Sequence, residues 1–145
     1  MQIIEANPQL MIVSAIALID ADGRVLLAQR PEGKHLAGFW EFPGGKVERN
    51  ETPETALIRE VKEELSIDIT ESCLAPLNFA SYSYERKPNN PAFNLLLLLF
   101  ICRRWCGIPR PVEGGVIKWV SKRALANFPM PPADKPLIST LQDLL

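Results

Sequence analysis

Cysteine and histidine are scarce in this sequence, with three cysteines and one histidine among 145 residues. Cys73, Cys102 and Cys106 are odd in number and lack C-x-x-C spacing, so the sequence indicates neither a disulfide framework nor a structural zinc site. This use of cysteine is typical of a reducing compartment, and we expect a cytoplasmic protein.

An excess of positive charge and a long apolar run are also missing. The 16 basic and 17 acidic residues give a formal net charge of −1, without the basic footprint of a protein that binds polymeric DNA or RNA. The most apolar run, Phe93 to Cys102, is about half the ~20 residues of a membrane helix, and the N-terminal MQIIEANPQL does not resemble a signal peptide. We expect a small-molecule ligand, no membrane partner, and a monomer or weak dimer.

The stretch from Gly44 to Ile67 carries the strongest signals in the chain. Thr52 followed by Pro53 predicts a helix start, because a threonine oxygen caps an orphan amide and proline has no N–H to lose there. The helix is predicted to run to about Leu65. At about 100° per residue, an apolar stripe lies beside an acidic face that is formed by Glu60, Glu63 and Glu64.

This acidic face indicates a cation site. Like charges at these spacings destabilise a helix by a few tenths of a kcal/mol per pair, so a positive partner is expected. Mg²⁺ prefers oxygen ligands and is commonly held by one or two carboxylates together with substrate phosphates. Arg59 could orient a carboxylate through its rigid fork of donors. A solvated acidic surface would give the same pattern, so the helix alone leaves both interpretations open.

The same stretch resembles the Nudix hydrolase family, whose box reads G-x5-E-x7-R-E-U-x-E-E-x-G-U, with U an apolar residue. The residues in register are Gly45, Glu51, Arg59, Glu60, Val61, Glu63, Glu64 and Ile67. The one departure is Ser66, which stands where the box has its second glycine. If that residue needs a positive φ, serine carries a cost of about 1 kcal/mol that glycine lacks. We expect a slightly strained or repositioned helix end and retained activity.

Two further segments resemble the MutT-like branch, the 8-oxo-dGTP diphosphatases: GFWEFPGGKVE from Gly38 to Glu48, and FPMPPADKP from Phe128 to Pro136. Relatives that act on CTP share much of the first segment, so the second discriminates better. The resemblance implies Mg²⁺-dependent hydrolysis, with Mn²⁺ as a substitute, which converts a nucleoside triphosphate to its monophosphate and pyrophosphate. Hydrolysis of another nucleotide by the same chemistry, or nucleotide binding without hydrolysis, are the alternatives.

The resemblance also implies roles for individual residues. It assigns cation binding to the carbonyl of Gly44 and to Glu60, Glu63, Glu64 and Glu113. It assigns catalysis to the same glutamates with Arg59, and we expect Glu60 rather than Glu113 to be the general base. It assigns substrate contacts to Arg30, His35, Glu41, Phe42, Pro43, Gly44 and Asp134.

Asp134 departs from relatives that often carry asparagine at this position. Oxidation at C8 of guanine places a proton on N7, which otherwise accepts hydrogen bonds as O6 does. An ionised aspartate accepts only, so it would pair with that new N–H but face O6 unless it is protonated. Asp134 is also well placed to cap the last helix, and the sequence does not separate the two roles.

Alternating strands and helices predict one α/β domain over residues 1–145. The resemblance implies the same Nudix-type α/β/α sandwich, with a mixed central sheet between the box helix and a C-terminal helix from Ala133 to Leu145. We expect strands Leu10–Ile19 and Arg24–Gln29 to form a hairpin, and Ser121 to cap a short helix through Ala126. The remaining predicted strands are Phe39–Phe42, a short one near Lys46 and Val47, Leu74–Tyr84, Phe93–Arg104 and Val116–Val120.

Overall fold

The computed structural model describes residues 9–34, 36–89 and 91–145, and within them the chain forms seven strands and two α-helices. The strands are β1 Gln9–Leu18, β2 Val25–Gln29, β3 Trp40–Glu41, β4 Gly44–Lys46, β5 Ala75–Tyr84, β6 Phe93–Cys102 and β7 Ile117–Val120. The helices are α1 Pro53–Leu65 and α2 Lys135–Leu144. None of the helices in the described part of the chain is long and apolar enough to cross a membrane.

The strands form two sheets. The larger has the order β4-β1-β6-β5, with β1 and β6 parallel and both outer strands antiparallel to their neighbours. The smaller has the order β3-β2-β7 and is antiparallel throughout. The mixed sheet was expected, whereas the second sheet was not.

One helix covers each face of the larger sheet, because consecutive residues of β1 point to opposite faces. Ile16 and Leu18 lie in the apolar cluster that includes the buried side of α1. Ala15 and Ala17 lie in the cluster that includes the buried side of α2. The apolar residues of α1 at Leu57, Val61 and Leu65 are fully or almost fully buried. The predicted α/β/α sandwich is therefore confirmed.

The ends of α1 are as the sequence predicts. The Thr52 hydroxyl accepts a hydrogen bond from the Thr55 amide at 3.1 Å, and Pro53 stands at the first helical position. Ser66 ends the helix in the left-handed conformation, with φ of 59°, and its N–H donates to the Lys62 carbonyl. The serine has thus adopted the conformation for which the family box uses glycine, and the position of the helix end is unchanged.

The predicted hairpin of the first two strands is wrong. Beyond β1, the Ile19 amide donates to the Cys102 carbonyl, and Ile19 meets Val25 in a single isolated bridge. The chain then crosses to the smaller sheet, where β2 pairs with β3 and β7. The Asp20 carboxylate stabilises this crossing turn by accepting from the Arg24 backbone and side chain, both at 2.8 Å.

Three smaller expectations also need correction. The segment after Ser121 forms a turn and then a 3₁₀ turn at Leu125–Asn127 instead of a capped α-helix, because the amides of Ala124, Asn127 and Phe128 each donate to the carbonyl three residues earlier. The last helix begins at Lys135, not Ala133, since the preceding residues form a turn in which Asp134 N–H donates to the Pro131 carbonyl. Strand β4 begins at Gly44 and ends at Lys46, earlier than the short strand that was expected near Lys46 and Val47.

Candidate active site

Strand β4 brings the box glycines against the helix. Gly44 lies opposite Ala15 of β1, and Gly45 lies opposite Ser14. A methyl group on Gly45 would stand 2.2 Å from Cδ of Glu60, and one on Gly44 would stand 2.0 Å from the Ser14 carbonyl oxygen. Because Gly44 and Gly45 have no side chains, β4 can pair closely with β1, and the Glu60 carboxylate can lie against the strand.

Arg59 holds Glu60 from the other side. Its Nη1 donates to Glu60 Oε1 at 2.9 Å, while Nε and Nη2 form a two-point ion pair with Glu51 at 2.8 and 2.9 Å. Nη2 also donates to the Lys46 carbonyl at 3.2 Å. The hydrogen bonds from Arg59 lower the pKa of Glu51 to about 2, so this carboxylate stays ionised. One arginine thus fixes the loop before α1 and the carboxylate expected to act in catalysis.

Carboxylates converge on Glu64. Burial raises the pKa of Glu64 to about 8, and the negative charges of Glu60, Glu41 and Glu113 add to the effect. Of these charges, that of Glu60 raises the pKa of Glu64 most. A raised pKa of this size indicates a carboxylate held among like charges without sufficient positive charge nearby.

The remaining expected ligands lie at the rim of this carboxylate cluster. Glu63 is exposed on α1, with its carboxylate 3.6 Å from Arg59 Nη1. Glu113 is exposed in the loop after β6. That loop is attached to the end of α1, because the amides of Arg110 and Val112 donate to the carbonyls of Leu65 and Glu64, each at 3.0 Å. The unpaired carbonyls of the helix end therefore position the segment that carries Glu113.

The donor set fits a hard divalent cation. All the expected ligands are oxygen atoms, which Mg²⁺ and similar cations prefer, and their mutual repulsion would be relieved by positive charge. Among the residues that the structure describes, no three acidic, histidine or cysteine side chains already form a coordination cluster.

A second polar cluster lies beside the first and contains Asp134. Arg30 Nη1 is 3.0 Å from the Glu41 carboxylate. Asp134 is only 6% exposed, and its carboxylate accepts a long hydrogen bond, 3.4 Å, from the Phe42 amide. Burial raises the pKa of Asp134 to about 7, with a further contribution from the charge of Glu41. Burial also raises the pKa of Glu41, against the opposing effect of Arg30 and Lys34.

The alternative role of Asp134 as a helix cap is wrong. Asp134 occupies the N-cap position of α2, but it has helical backbone angles and its side chain makes no capping hydrogen bond. The carboxyl group is directed towards β3 and β4 instead. The burial of this carboxyl group therefore does not stabilise α2 through a capping hydrogen bond.

The other residues that were expected to contact the substrate are not all at the surface of the site. Phe42 is a core residue, and Pro43 is buried with its carbonyl accepting from the Ile16 amide at 2.8 Å. The structure therefore brings Arg30, Glu41 and Asp134 together and joins them to the carboxylate cluster through Glu41. His35 lies outside the described residues.

Two residues near the site were missed or undervalued in the sequence. Glu51 matched the box, but its role as the two-point partner of Arg59 was not anticipated. Tyr84 was not among the residues expected to contact the substrate. Burial raises the pKa of its phenol, and the charge of Asp134 adds to this effect, so the phenol lies beside the second cluster. Its ring stacks on Phe93 at 4.7 Å. The position of Tyr84 at the end of a strand, next to the loop where a purine could stack, was the available signal.

Comparison with known proteins agrees with this geometry. The NUDIX domain family model matches residues 9–141. The 8-oxo-dGTP diphosphatase of Proteus vulgaris is 41% identical over 93 residues, 64% of this chain and 76% of that protein. The CTP pyrophosphohydrolase of Escherichia coli K12 is 34% identical over 134 residues, 92% of this chain and 93% of that protein. The crystal structure of the MutT NUDIX hydrolase from Burkholderia pseudomallei has a TM-score of 0.75 at 27% identity and covers 91% of this chain and 98% of that one.

The chain belongs to the NUDIX family. It is a Nudix hydrolase that acts on phosphoric anhydride bonds and resembles the MutT branch in sequence and fold. Hydrolases of this family use divalent cations.

Proposed function

We propose that this chain hydrolyses 8-oxo-dGTP to 8-oxo-dGMP and pyrophosphate, with Mg²⁺ as its cation and Mn²⁺ as a substitute. The proposed role is removal of an oxidised nucleotide from the cytoplasmic pool before DNA replication, by a monomer or weak dimer. The observation that carries the proposal is the Asp134 carboxyl group, which is buried beside the active site and does not serve the helix that it precedes.

The cation-binding role is proposed for the Gly44 carbonyl and for Glu60, Glu63, Glu64 and Glu113. When bound, Mg²⁺ supplies positive charge between the phosphate chain and these carboxylates and makes a water molecule a better nucleophile. The fit rests on the oxygen donors of these residues, which a hard divalent cation prefers. Burial and the nearby charges of other glutamates raise the pKa of Glu64, so positive charge that enters the cluster stabilises its ionised form.

The proton of the attacking water passes to a glutamate in this proposal, and Glu60 is the better candidate. Its carboxylate is held between Arg59 and the β4 backbone, so its position is fixed before the substrate arrives. Glu113 is exposed on a loop and is less constrained. Arg30 is assigned to the substrate phosphates or sugar, and attack on the β-phosphorus releases pyrophosphate.

The base-reading role is proposed for the second cluster. In 8-oxoguanine, N7–H is a donor and O6 is an acceptor, whereas both positions accept in guanine. Asp134 and the segment from Glu41 to Gly44 present polar groups where a purine edge can be read. His35 remains a proposed substrate contact on the resemblance alone.

Hydrolysis of CTP is the second candidate, because the E. coli relative that spans nearly the whole chain is named for it. The Phe128 to Pro136 segment favours the oxidised purine, since the resemblance to the MutT branch is most specific there. A binding module without hydrolysis is disfavoured because Glu60, Glu63 and Glu64 are all present.

The test is pyrophosphate release in Mg²⁺, with kcat/KM compared for 8-oxo-dGTP, dGTP and CTP. We expect a large preference for 8-oxo-dGTP, and activity on all three substrates should be lost in the control variant Glu63→Gln. A higher kcat/KM for CTP would support the proposed reaction type but would show that CTP is the preferred substrate. No pyrophosphate release from any of the three would overturn the proposal.

A further inference from the structure

Ser14 interrupts an apolar row on strand β1. Alternate residues of a strand face the same side, so Ser14 lies on the side of Ile16 and Leu18, which are buried in the cluster with α1. Ser14 has 0% exposure, and in the described part of the chain only Ser14 and Asp134 are polar or charged residues that are buried. A buried hydroxyl is unfavourable unless it has a hydrogen-bond partner, so we looked for the group that it serves.

The partner of this hydroxyl is the first residue of α1. Ser14 Oγ donates to the Pro53 carbonyl oxygen at 2.8 Å, which joins β1 to the first turn of the helix across 39 positions of the sequence. In an α-helix the same carbonyl also accepts from the amide four residues later. The helix therefore does not depend on Ser14 to satisfy this carbonyl, and the bond from Ser14 fixes where the helix starts relative to the sheet.

Ser14 also lies beside the place of the Glu60 carboxylate. It stands directly opposite Gly45 in the ladder between β1 and β4. Opposed residues of an antiparallel pair project to the same face, with their Cβ atoms about 4.5–5.5 Å apart. A methyl group on Gly45 would stand 2.2 Å from Cδ of Glu60. Ser14, Gly45 and the Glu60 carboxylate are therefore neighbours on the face of the sheet that α1 covers.

We infer that Ser14 is a positioning residue for Glu60. Pro53 and Glu60 lie on one side of α1, because seven residues make about two turns, so the bond from Ser14 sets the spacing between β4 and the side of the helix that carries the carboxylate. Arg59 fixes the tip of the Glu60 side chain, whereas Ser14 fixes the backbone from which it extends. The inference rests on the proposed catalytic role of Glu60 and adds a residue that supports it.

The small size of Ser14 has a separate effect from its hydrogen bond. The apolar row of β1 would favour a large aliphatic residue at this position, and such a side chain would fill the space that the Glu60 carboxylate occupies against Gly45. Alanine would leave that space free but lose the bond to Pro53. Threonine and valine have the same shape, and only threonine carries the hydroxyl. These substitutions therefore test the bond at constant size.

The experiment measures kcat and KM for pyrophosphate release in Mg²⁺, with whichever of 8-oxo-dGTP, dGTP and CTP the native protein hydrolyses fastest. In Ser14→Ala we expect kcat to fall about tenfold, less than the ~100-fold cost of a 1 Å displacement, with KM within about twofold of the native value. Between the matched variants, Ser14→Thr should have a kcat about tenfold above that of Ser14→Val for the same reason.

A second readout separates the positioning of Glu60 from a general effect on the fold. The carboxylate is absent in Glu60→Gln, so adding Ser14→Ala should lower the residual kcat by less than about twofold, as for two residues that act as one unit. The same tenfold loss in both backgrounds would overturn the inference, as would a native kcat in Ser14→Ala or equal kcat in the threonine and valine variants. A native kcat in Glu60→Gln would instead overturn the proposed role of Glu60 and the inference with it.

Discussion

Alanine substitutions at the two neighbouring glycines of β4 should have different effects. One should lower the stability of the fold, and the other should disturb the geometry of the active site. In Gly44→Ala, the new Cβ would lie 2.0 Å from the Ser14 carbonyl oxygen and 2.7 Å from Cα of Ala15. These are backbone atoms of β1, which cannot move without disturbing the ladder between the two strands, and the φ of 155° is itself unfavourable for alanine. We expect a loss of about 3 kcal/mol in the free energy of unfolding.

In Gly45→Ala, the new Cβ meets a side chain instead. It would lie 2.2 Å from Cδ of Glu60 and 2.5 Å from both carboxylate oxygens, all at the end of a flexible chain that can swing away. The expected cost in stability is about 1 kcal/mol or less, at or below the lower end of what overpacking a core usually costs. Glu60 must leave its place beside Arg59, and misplacing a catalytic group by about 1 Å costs on the order of 100-fold in rate.

The assay pairs urea unfolding of both variants with kcat for pyrophosphate release at saturating Mg²⁺. Gly45→Ala should unfold near the native urea concentration while kcat falls about 100-fold. Gly44→Ala should unfold at a markedly lower urea concentration. The reasoning would be refuted by native kcat in Gly45→Ala, or by native stability in Gly44→Ala.

Two further predictions concern the end of α1. Ser66→Gly should raise the free energy of unfolding by about 1 kcal/mol, since glycine adopts the observed φ of 59° without strain; unchanged or reduced stability in urea would contradict this. Without divalent cation, the pKa of Glu64 is about 8 in the folded protein and about 4.5 in the unfolded chain. The folded protein therefore binds the Glu64 proton more tightly. As the pH rises from about 4.5 to 8, ionisation of Glu64 lowers the free energy of unfolding. Glu64→Gln should therefore be more stable than the native protein by about 1–3 kcal/mol at pH 8 in chelator, with little difference at pH 4, and parallel stability curves over this range would refute the prediction.

The features that the sequence predicted correctly are governed by interactions between near neighbours. Thr52 and Pro53 start α1 because capping and the absence of a proline N–H act within one turn. Ser66 takes the left-handed conformation because the helix end requires it, whichever residue stands there. The strands were predicted within a few residues for the same reason, since their apolar runs are local.

The errors arose where distant parts of the chain compete for the same backbone groups. The turn around Asp20 looked like a hairpin, but β1 finds its partners in β4 and β6 and β2 finds its own in β3 and β7. A different error lies at Ser121, where a helix-start signal is followed by hydrogen bonds to carbonyls three residues earlier, which form a 3₁₀ turn.

The same distinction between local and long-range interactions applies to the active site. The spacing of the box alone places Glu60, Glu63 and Glu64 on one face of a helix, because they share one helix and its period. The sequence could name Asp134 as a candidate but could not choose between capping and recognition. Only the tertiary structure excluded capping, because it brings the Asp134 carboxylate to the Phe42 amide, 92 positions away, beside the charge of Glu41. Burial and the field of distant charges set the protonation state of a side chain, and neither can be read from its neighbours in the chain.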